Sequence, residues 1–260
     1  DGGADATITA AKGAWSSVVS GDSLPDGYGV GNSTSGQSMG IYLASGYRLD
    51  SAGGDIFIAG MDAPSTADSS ATVQIVDGLI DSGTGRIAIF AKAYANATSN
   101  QGLVLHRDDN TAGSVITSAN RTAQAITLYS DTSPNTNTTS DGISAWGYSP
   151  STALFGYQSL QLIATGLKNS ADLANYPGGG INVTGIASGS GSAGGAHGII
   201  WEWADALAKD GPINFSGQNT EGTGGYSGAG MYIGANNYSI QGHFGAWHSA
   251  LTYTNLASTA

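Results

Sequence analysis

The chain contains no cysteine, which removes disulfides, thiolate metal sites, iron–sulfur clusters and cysteine nucleophiles from consideration. Charge is also scarce. Only 10% of the 260 residues are charged, against about a quarter in an ordinary globular protein, so hydroxyls and amides must coat most of the surface. Basic charge is scarcest, with 8 Lys and Arg against 19 Asp and Glu and a formal charge of -11. Nucleic acids and anionic membranes both require a basic face, so neither is expected as a partner. Apolar stretches such as Met39 to Ala44 and Ile199 to Trp203 are of strand length, far short of the roughly 18 residues of a membrane helix, and no membrane insertion is expected. No basic start leads into an apolar stretch. A signal peptide is therefore expected to have been removed or to lie outside the chain, and Asp1 reads as the start of a mature or excised piece. Lack of cysteine is compatible with export.

Helical periodicity is nearly absent, residues 203 to 209 being the one stretch read as a helix and 170 to 175 a turn. What is abundant is glycine, 41 residues, between short segments of strict alternation. The clearest are Asp55 to Ala59, Arg86 to Lys92, Ala125 to Tyr129, Gly180 to Thr184 and Pro212 to Ser216. Their apolar parity consists of Ile56, Ile58, Ile87, Ile89, Ile126, Leu128, Ile181, Val183, Ile213 and Phe215, expected to face inward, with Asn182, Thr184, Asn214 and Ser216 facing water. A second strand type alternates with the first, in segments starting at Gly40, Thr72, Gly102, Gly142, Gly198 and Gly230. Their spacing drifts from roughly 30 to 56 residues, and such a recurring helix-free unit predicts a stacked solenoid rather than a sandwich.

Solenoid geometry accounts for the composition. Each coil must turn sharply several times, and Gly, Asn and Asp tolerate the left-handed backbone of tight corners. Like charges stacked every 4.8 Å would repel, whereas Ser, Thr and Asn ladders hydrogen-bond along the rod. With coils of about 20 to 30 residues, roughly ten of them would give a rod on the order of 50 Å. Residues 131 to 141 and 186 to 197 are low-complexity and read as loops leaving the rod. Strand grammar resumes after each, so residues 1 to 260 are read as one β-solenoid domain, with 1 to 22 an end coil or cap.

Units such as Gly53-Gly54-Asp55-Ile56-Phe57-Ile58-Ala59-Gly60, Gly178 to Gly185 and Ala229 to Ile233 resemble the repeats of filamentous-haemagglutinin-type bacterial exoproteins, a likeness of pattern spanning roughly residues 36 to 247. Units at 100 to 131 and 141 to 166 lack the Gly-Gly corner. The resemblance implies a right-handed parallel β-helix, secreted to the outside or surface of the cell and used as an adhesin or surface fibre, partnered by itself or by surface glycans and proteins.

Candidate chemistry is thin. His106-Arg107-Asp108-Asp109-Asn110 is the one charged cluster. A β-helix polysaccharide lyase or hydrolase would need Asp108 or Asp109 paired across a bond with an acid of a neighbouring coil, for which Asp77 and Asp81 are the suppliers; the plainer reading is a solvated turn. Calcium needs several converging carboxylates, and the nearest approaches are Asp50 with Asp55 and Asp108 with Asp109. His243 and His248 lack a third ligand and read as strand-face residues. Tyr42, Phe57, Phe90, Tyr129 and Tyr232 fall at outward parity and could stack on sugar rings or a partner chain, or pack beneath loops. Asn-x-Ser/Thr occurs at Asn32, Asn96, Asn120, Asn137, Asn182, Asn214 and Asn237, candidate glycan acceptors if the host glycosylates exported proteins, or simply polar strand faces and turns. The expectation is therefore a non-catalytic extracellular structural or adhesive β-helix without a cofactor, with a glycan-binding module or a polysaccharide-active enzyme as alternatives.

Overall fold

The computed structural model describes residues 29–30, 39–61, 71–93, 101–107, 113–133, 140–147, 160–187, 196–202, 204–220, 230–233, 243–246 and 251–256. Among them every regular element is a strand: β1 (Gly29–Val30), β2 (Ile41–Leu43), β3 (Tyr47–Asp50), β4 (Ile56–Met61), β5 (Val73–Val76), β6 (Gly78–Asp81), β7 (Ile87–Lys92), β8 (Leu103–Arg107), β9 (Ser114–Ser118), β10 (Ile126–Asp131), β11 (Ile143–Gly147), β12 (Leu160–Ala164), β13 (Ile181–Ala187), β14 (Ile199–Trp201), β15 (Ala204–Ala208), β16 (Ile213–Asn219), β17 (Met231–Ile233), β18 (His243–Ala246) and β19 (Leu251–Leu256). Each strand pairs in parallel with those three places before and after it in the chain. This generates a first sheet ordered β1-β4-β7-β10-β13-β16-β19, a second ordered β17-β14-β11-β8-β5-β2 and a third ordered β18-β15-β12-β9-β6-β3. Every turn of the chain thus contributes one strand to each of three sheets, the arrangement of a parallel β-helix.

Both strand families read from the sequence are present, and each builds one sheet. The Ile-x-Ile segments form the first, with Ile56, Ile87, Ile126, Ile181 and Ile213 in one register column. The Gly-led segments form the second through the pairs Ile41↔Val73, Val73↔Leu103, Leu103↔Ile143, Ile143↔Ile199 and Ile199↔Met231. One aliphatic core collects the inward residues of all three sheets, from Ile58 and Ile87 to Phe215 and Met231. Of the ten residues expected inward, only Ile56 stays half-buried, and it lies at the end of the stack beside an open groove of about 410 Å³ lined by Ile41, Leu43, Leu49 and Ile58.

Two expectations need correction. Residues 204 to 208 form β15 rather than part of a helix. Ala204, Ala206 and Ala208 alternate inward and are fully buried against the core, so packing on a parallel neighbour overrides the helix preference of alanine. The stretch is the third strand of its coil. Among the described residues the stack is shorter than ten coils: sheets of seven, six and six strands at about 4.8 Å spacing give a rod of roughly 30 Å. A third strand lengthens each coil, so that Ile56 and Ile87 in successive coils stand 31 residues apart, before insertions. The turn expected at 170 to 175 is present, closed by Asp172 N–H to Asn169 O and Tyr176 N–H to Asp172 O, both 2.9 Å. Of the two low-complexity stretches, Asp131 still belongs to β10 and Ile186 and Ala187 to β13. Residues 134 to 139 and 188 to 195, like the expected cap at 1 to 22, lie outside the described residues.

The corner from the third sheet to the first shows how local chemistry closes a coil. Asp50 and Asp81 each accept a hydrogen bond from the N–H two residues on, at Ala52 (3.0 Å) and Gly83 (2.8 Å), the turn that a short carboxylate side chain favours. Ser51 and Ser82 then donate to the carbonyls of Gly54 and Gly85. Gly53 carries φ of 113°, a backbone that strains any side chain. One coil up, Ser118 also donates to Gly85 O at 2.7 Å, so hydroxyl hydrogen bonds continue from coil to coil.

The same logic governs the outer face of the first sheet. Asn214 donates its side-chain amide to Asn182 Oδ1 at 2.9 Å, and Asn182 donates in turn to Ala123 O at 2.7 Å. Asn182→Ala is expected to lower stability by about 1 kcal/mol, a typical partly buried hydrogen bond, in urea unfolding. At the corner from the third sheet to the first, Arg86 grips Asp55 of the preceding coil through Nη2 (2.6 Å) and Nε (3.1 Å). Burial works to raise the Asp55 carboxyl, but the side-chain and backbone hydrogen bonds from Arg86 and its charge outweigh it and hold the group below its ordinary value. A depressed carboxylate contributes stability above its unfolded-state value and loses it as pH falls through the folded one. Asp55→Asn is therefore expected to destabilise modestly at pH 7, by well under about 1 kcal/mol because the pair is exposed. In thermal melts the gap between variant and parent should close as pH falls through the acid range.

Candidate functional site

The five aromatics expected at outward parity do not share a face. Phe57, Phe90 and Tyr129 stand on the first sheet, with ring centroids 5.4 Å and 5.8 Å apart along the series, and join Ala59, Met61 and Ala88 in a second, smaller apolar cluster. Phe90 is only 1% exposed, so it presents no ring face to a ligand. Burial, with Asp131 nearby, pushes the Tyr129 hydroxyl up to about 12. Tyr42 and Tyr232 stand instead on the second sheet.

That second sheet carries the richest outward chemistry among the described residues. Its alternation sends Tyr42, Gln74, Val104, Ser144, Ile200 and Tyr232 outward in one register column, and Val76, His106 and Trp146 in the next. Val104 and Ser144 in the middle are buried, whereas Tyr42 (52%), Trp146 (38%) and Tyr232 (41%) remain open. The His106 and Trp146 rings lie 4.7 Å apart and tilted by 55°, a contact set directly by the pairing of β8 with β11.

Ahead of these strands, at the corner from the first sheet, Gly102 N–H bonds Asp141 O and Gly142 N–H bonds His197 O, which stacks Gln101, Asp141 and His197. Asp141 Oδ1 accepts the His197 backbone N–H at 2.9 Å and lies 3.2 Å from His197 Nδ1. Both side chains are mostly buried. The His197 ring sits 5.8 Å from that of Tyr232. Glu202 follows β14 and is fixed by its N–H to Ala145 O at 2.8 Å. Burial raises its carboxyl above the ordinary value, and the charge of His197 works against that rise. The result is a patch of two open aromatic rings, a histidine–carboxylate pair and a half-buried glutamate.

Sequence reading singled out neither Asp141 nor His197. The signal was present: both precede the Gly-Ile that opens a second-sheet strand, so aligning the units on that dipeptide stacks them. The catalytic candidates fall elsewhere. Asp108 and Asp109 lie outside the described residues. Asp77 is 5% exposed, in a corner with φ of 40°, and influences the half-buried Tyr47, whose phenol burial pushes up to about 12. Asp81 is engaged by Gly83 N–H. Of the calcium candidates, Asp50 binds Arg48 at 3.0 Å and Asp55 binds Arg86, and among the described residues no three His, Asp or Glu side chains converge on a metal position. His243 lies on β18, and His248 lies outside the described residues. Trp201 is fully buried, its Nε1–H donating to Ala204 O at 3.0 Å; Trp203 lies outside the described set.

Three of the seven Asn-x-Ser/Thr asparagines are described. Asn120 donates Nδ2–H to Thr84 O at 2.8 Å, and Asn182 and Asn214 form the ladder already given. All three amides thus hold coils together. Asn32, Asn96, Asn137 and Asn237 lie outside the described residues. No protein-family model, curated protein or solved structure matches the chain.

Proposed function

We propose that the protein is an extracellular structural or adhesive β-helix, a component of a surface fibre or adhesin, as its resemblance to filamentous-haemagglutinin-type repeats suggests. The observation that carries this reading is the three-sheet parallel stack itself. A continuous aliphatic interior stiffens the rod, and hydroxyl and amide ladders replace charge on its corners and faces. Such a body projects from a surface without strong ionic attraction to its surroundings, and strand edges at the end of a solenoid must be capped or joined lengthwise. Electron microscopy of the purified native protein is expected to show rods or fibres about one β-helix wide. Uniform compact particles, with no retention on cell surfaces, would speak against the reading.

A second reading, a glycan-binding module, is favoured by one specific observation: Tyr42, Trp146 and Tyr232 keep open ring surface on the outer face of a single sheet. The two readings are compatible, since an adhesive rod needs a contact face.

A further inference from the structure

Resting on the glycan-binding reading, we propose that the patch built by Trp146, Glu202, Tyr232 and the Asp141–His197 pair binds an uncharged glycan chain across strands β11, β14 and β17. Trp146 and Tyr232 belong to strands two spacings apart in the same sheet, about 10 Å along the rod axis, and both project outward. An aromatic face matches the apolar face of a pyranose ring while leaving the sugar's equatorial hydroxyls free for hydrogen bonds at its rim. Those bonds have partners here: Glu202 directly follows β14, the strand between those of the two aromatics, and the His197 ring lies beside Tyr232.

Charge selects the ligand class. Asp141 Oδ1 already accepts the His197 backbone N–H at 2.9 Å and lies 3.2 Å from its Nδ1, and partial burial disfavours the ionised form of Glu202. The patch is consequently poised to exchange hydrogen bonds with hydroxyls rather than to neutralise an ionic polymer. An anionic polysaccharide would meet no lysine or arginine among these five residues, the one histidine already lies against Asp141, and the chain as a whole carries a formal charge of -11, so long-range repulsion acts against it. Tyr42 lies on the same face but at the opposite end of the sheet from Tyr232 and is outside this patch.

The test is an array of immobilised neutral, amino and anionic oligosaccharides, probed with the parent protein and with Trp146→Ala, Tyr232→Ala and Trp146→Phe. Signal is expected on neutral sugars and should persist at raised salt. It should fall about tenfold or more in each alanine variant, the loss of one ring platform, and survive in Trp146→Phe, which keeps an aromatic face. Thermal melts of each variant separate loss of binding from loss of fold, and Tyr232→Ala, at the edge strand, serves if Trp146→Ala does not fold. Binding confined to anionic or amino sugars, or neutral-sugar binding untouched in both alanine variants, overturns this assignment while leaving a glycan-binding module in place. Absence of signal on every sugar overturns both.

Discussion

Trp201→Ala is expected to destabilise the protein by about 3–5 kcal/mol, the range for deleting a fully buried aromatic, and to lower the thermal midpoint by roughly 10 °C. Among the described residues Trp201 is the largest of the fully buried side chains. Three separate contributions disappear with it. The indole packs edge-on against Phe215 at 4.8 Å, an interaction between the second sheet and the first. Its Nε1–H satisfies Ala204 O at the start of β15, which would be left buried without its donor. A cavity also opens beside Ala145, its register partner, where an alanine cannot swing in to fill it. Trp201→Phe retains the packing and loses the hydrogen bond, so it should recover more than half of the loss. Calorimetry of the three proteins separates these contributions.

The second large effect comes from adding an atom. A Cβ on Gly185 would stand 2.0 Å from Gly198 O and 2.9 Å from an Ile199 side-chain carbon. The first contact is with backbone, so it can be relieved only by parting the corner where β13 hands over to β14. Gly185→Ala is expected to cost about 2–3 kcal/mol, the scale of overpacking, although Gly→Ala ordinarily stabilises by trimming the unfolded ensemble. Gly54→Ala is the matched control. A Cβ there would approach nothing closer than 3.6 Å, and the change should be neutral or slightly stabilising in the same urea titration. Equal behaviour of the two variants would mean that β13 and the start of β14 do not approach one another as closely as described.

These variants also mark what the amino-acid sequence makes legible. Ile87-Ala88-Ile89 and Ile126-Thr127-Leu128 announce a strand because large β-branched or branched residues alternate with small or polar ones. The Gly-Ile segments announce the second sheet by recurrence. The third sheet is nearly silent. Its inward positions include Ser114 and Ser118 on β9 and three alanines on β15, residues too small to print a hydrophobic period, and alanine alone suggests helix. Their strand state is fixed by parallel neighbours 36 to 46 residues away, which no local window contains. Missing that sheet is also what made the rod look too long.

The candidate site divides the same way. Outward parity at Tyr42 and Tyr232 is readable from their strands, but whether a ring is open depends on what lies over it: Phe90 has the same parity and is sealed. Asp141 and His197 are 56 residues apart, with a large insertion between them, and meet only because the coils stack in register. Trp146 is likewise made part of the face by its position on β11, not by any motif.

The whole account rests on parallel, in-register stacking, and the absence of native cysteine makes that directly measurable by paired cysteine substitution. Thr184 is the register partner of Ser216, and Asn182 of Asn214, on β13 and β16. Adjacent parallel residues stand about 4.8 Å apart, within disulfide range. Under mild oxidation, Thr184→Cys/Ser216→Cys and Asn182→Cys/Asn214→Cys should both crosslink within the monomer, and Thr184→Cys/Asn214→Cys should not. An antiparallel pair that opposed 184 to 216 would set 182 against 218, so crosslinking of 182 to 218 in place of 182 to 214 would contradict the β-helix.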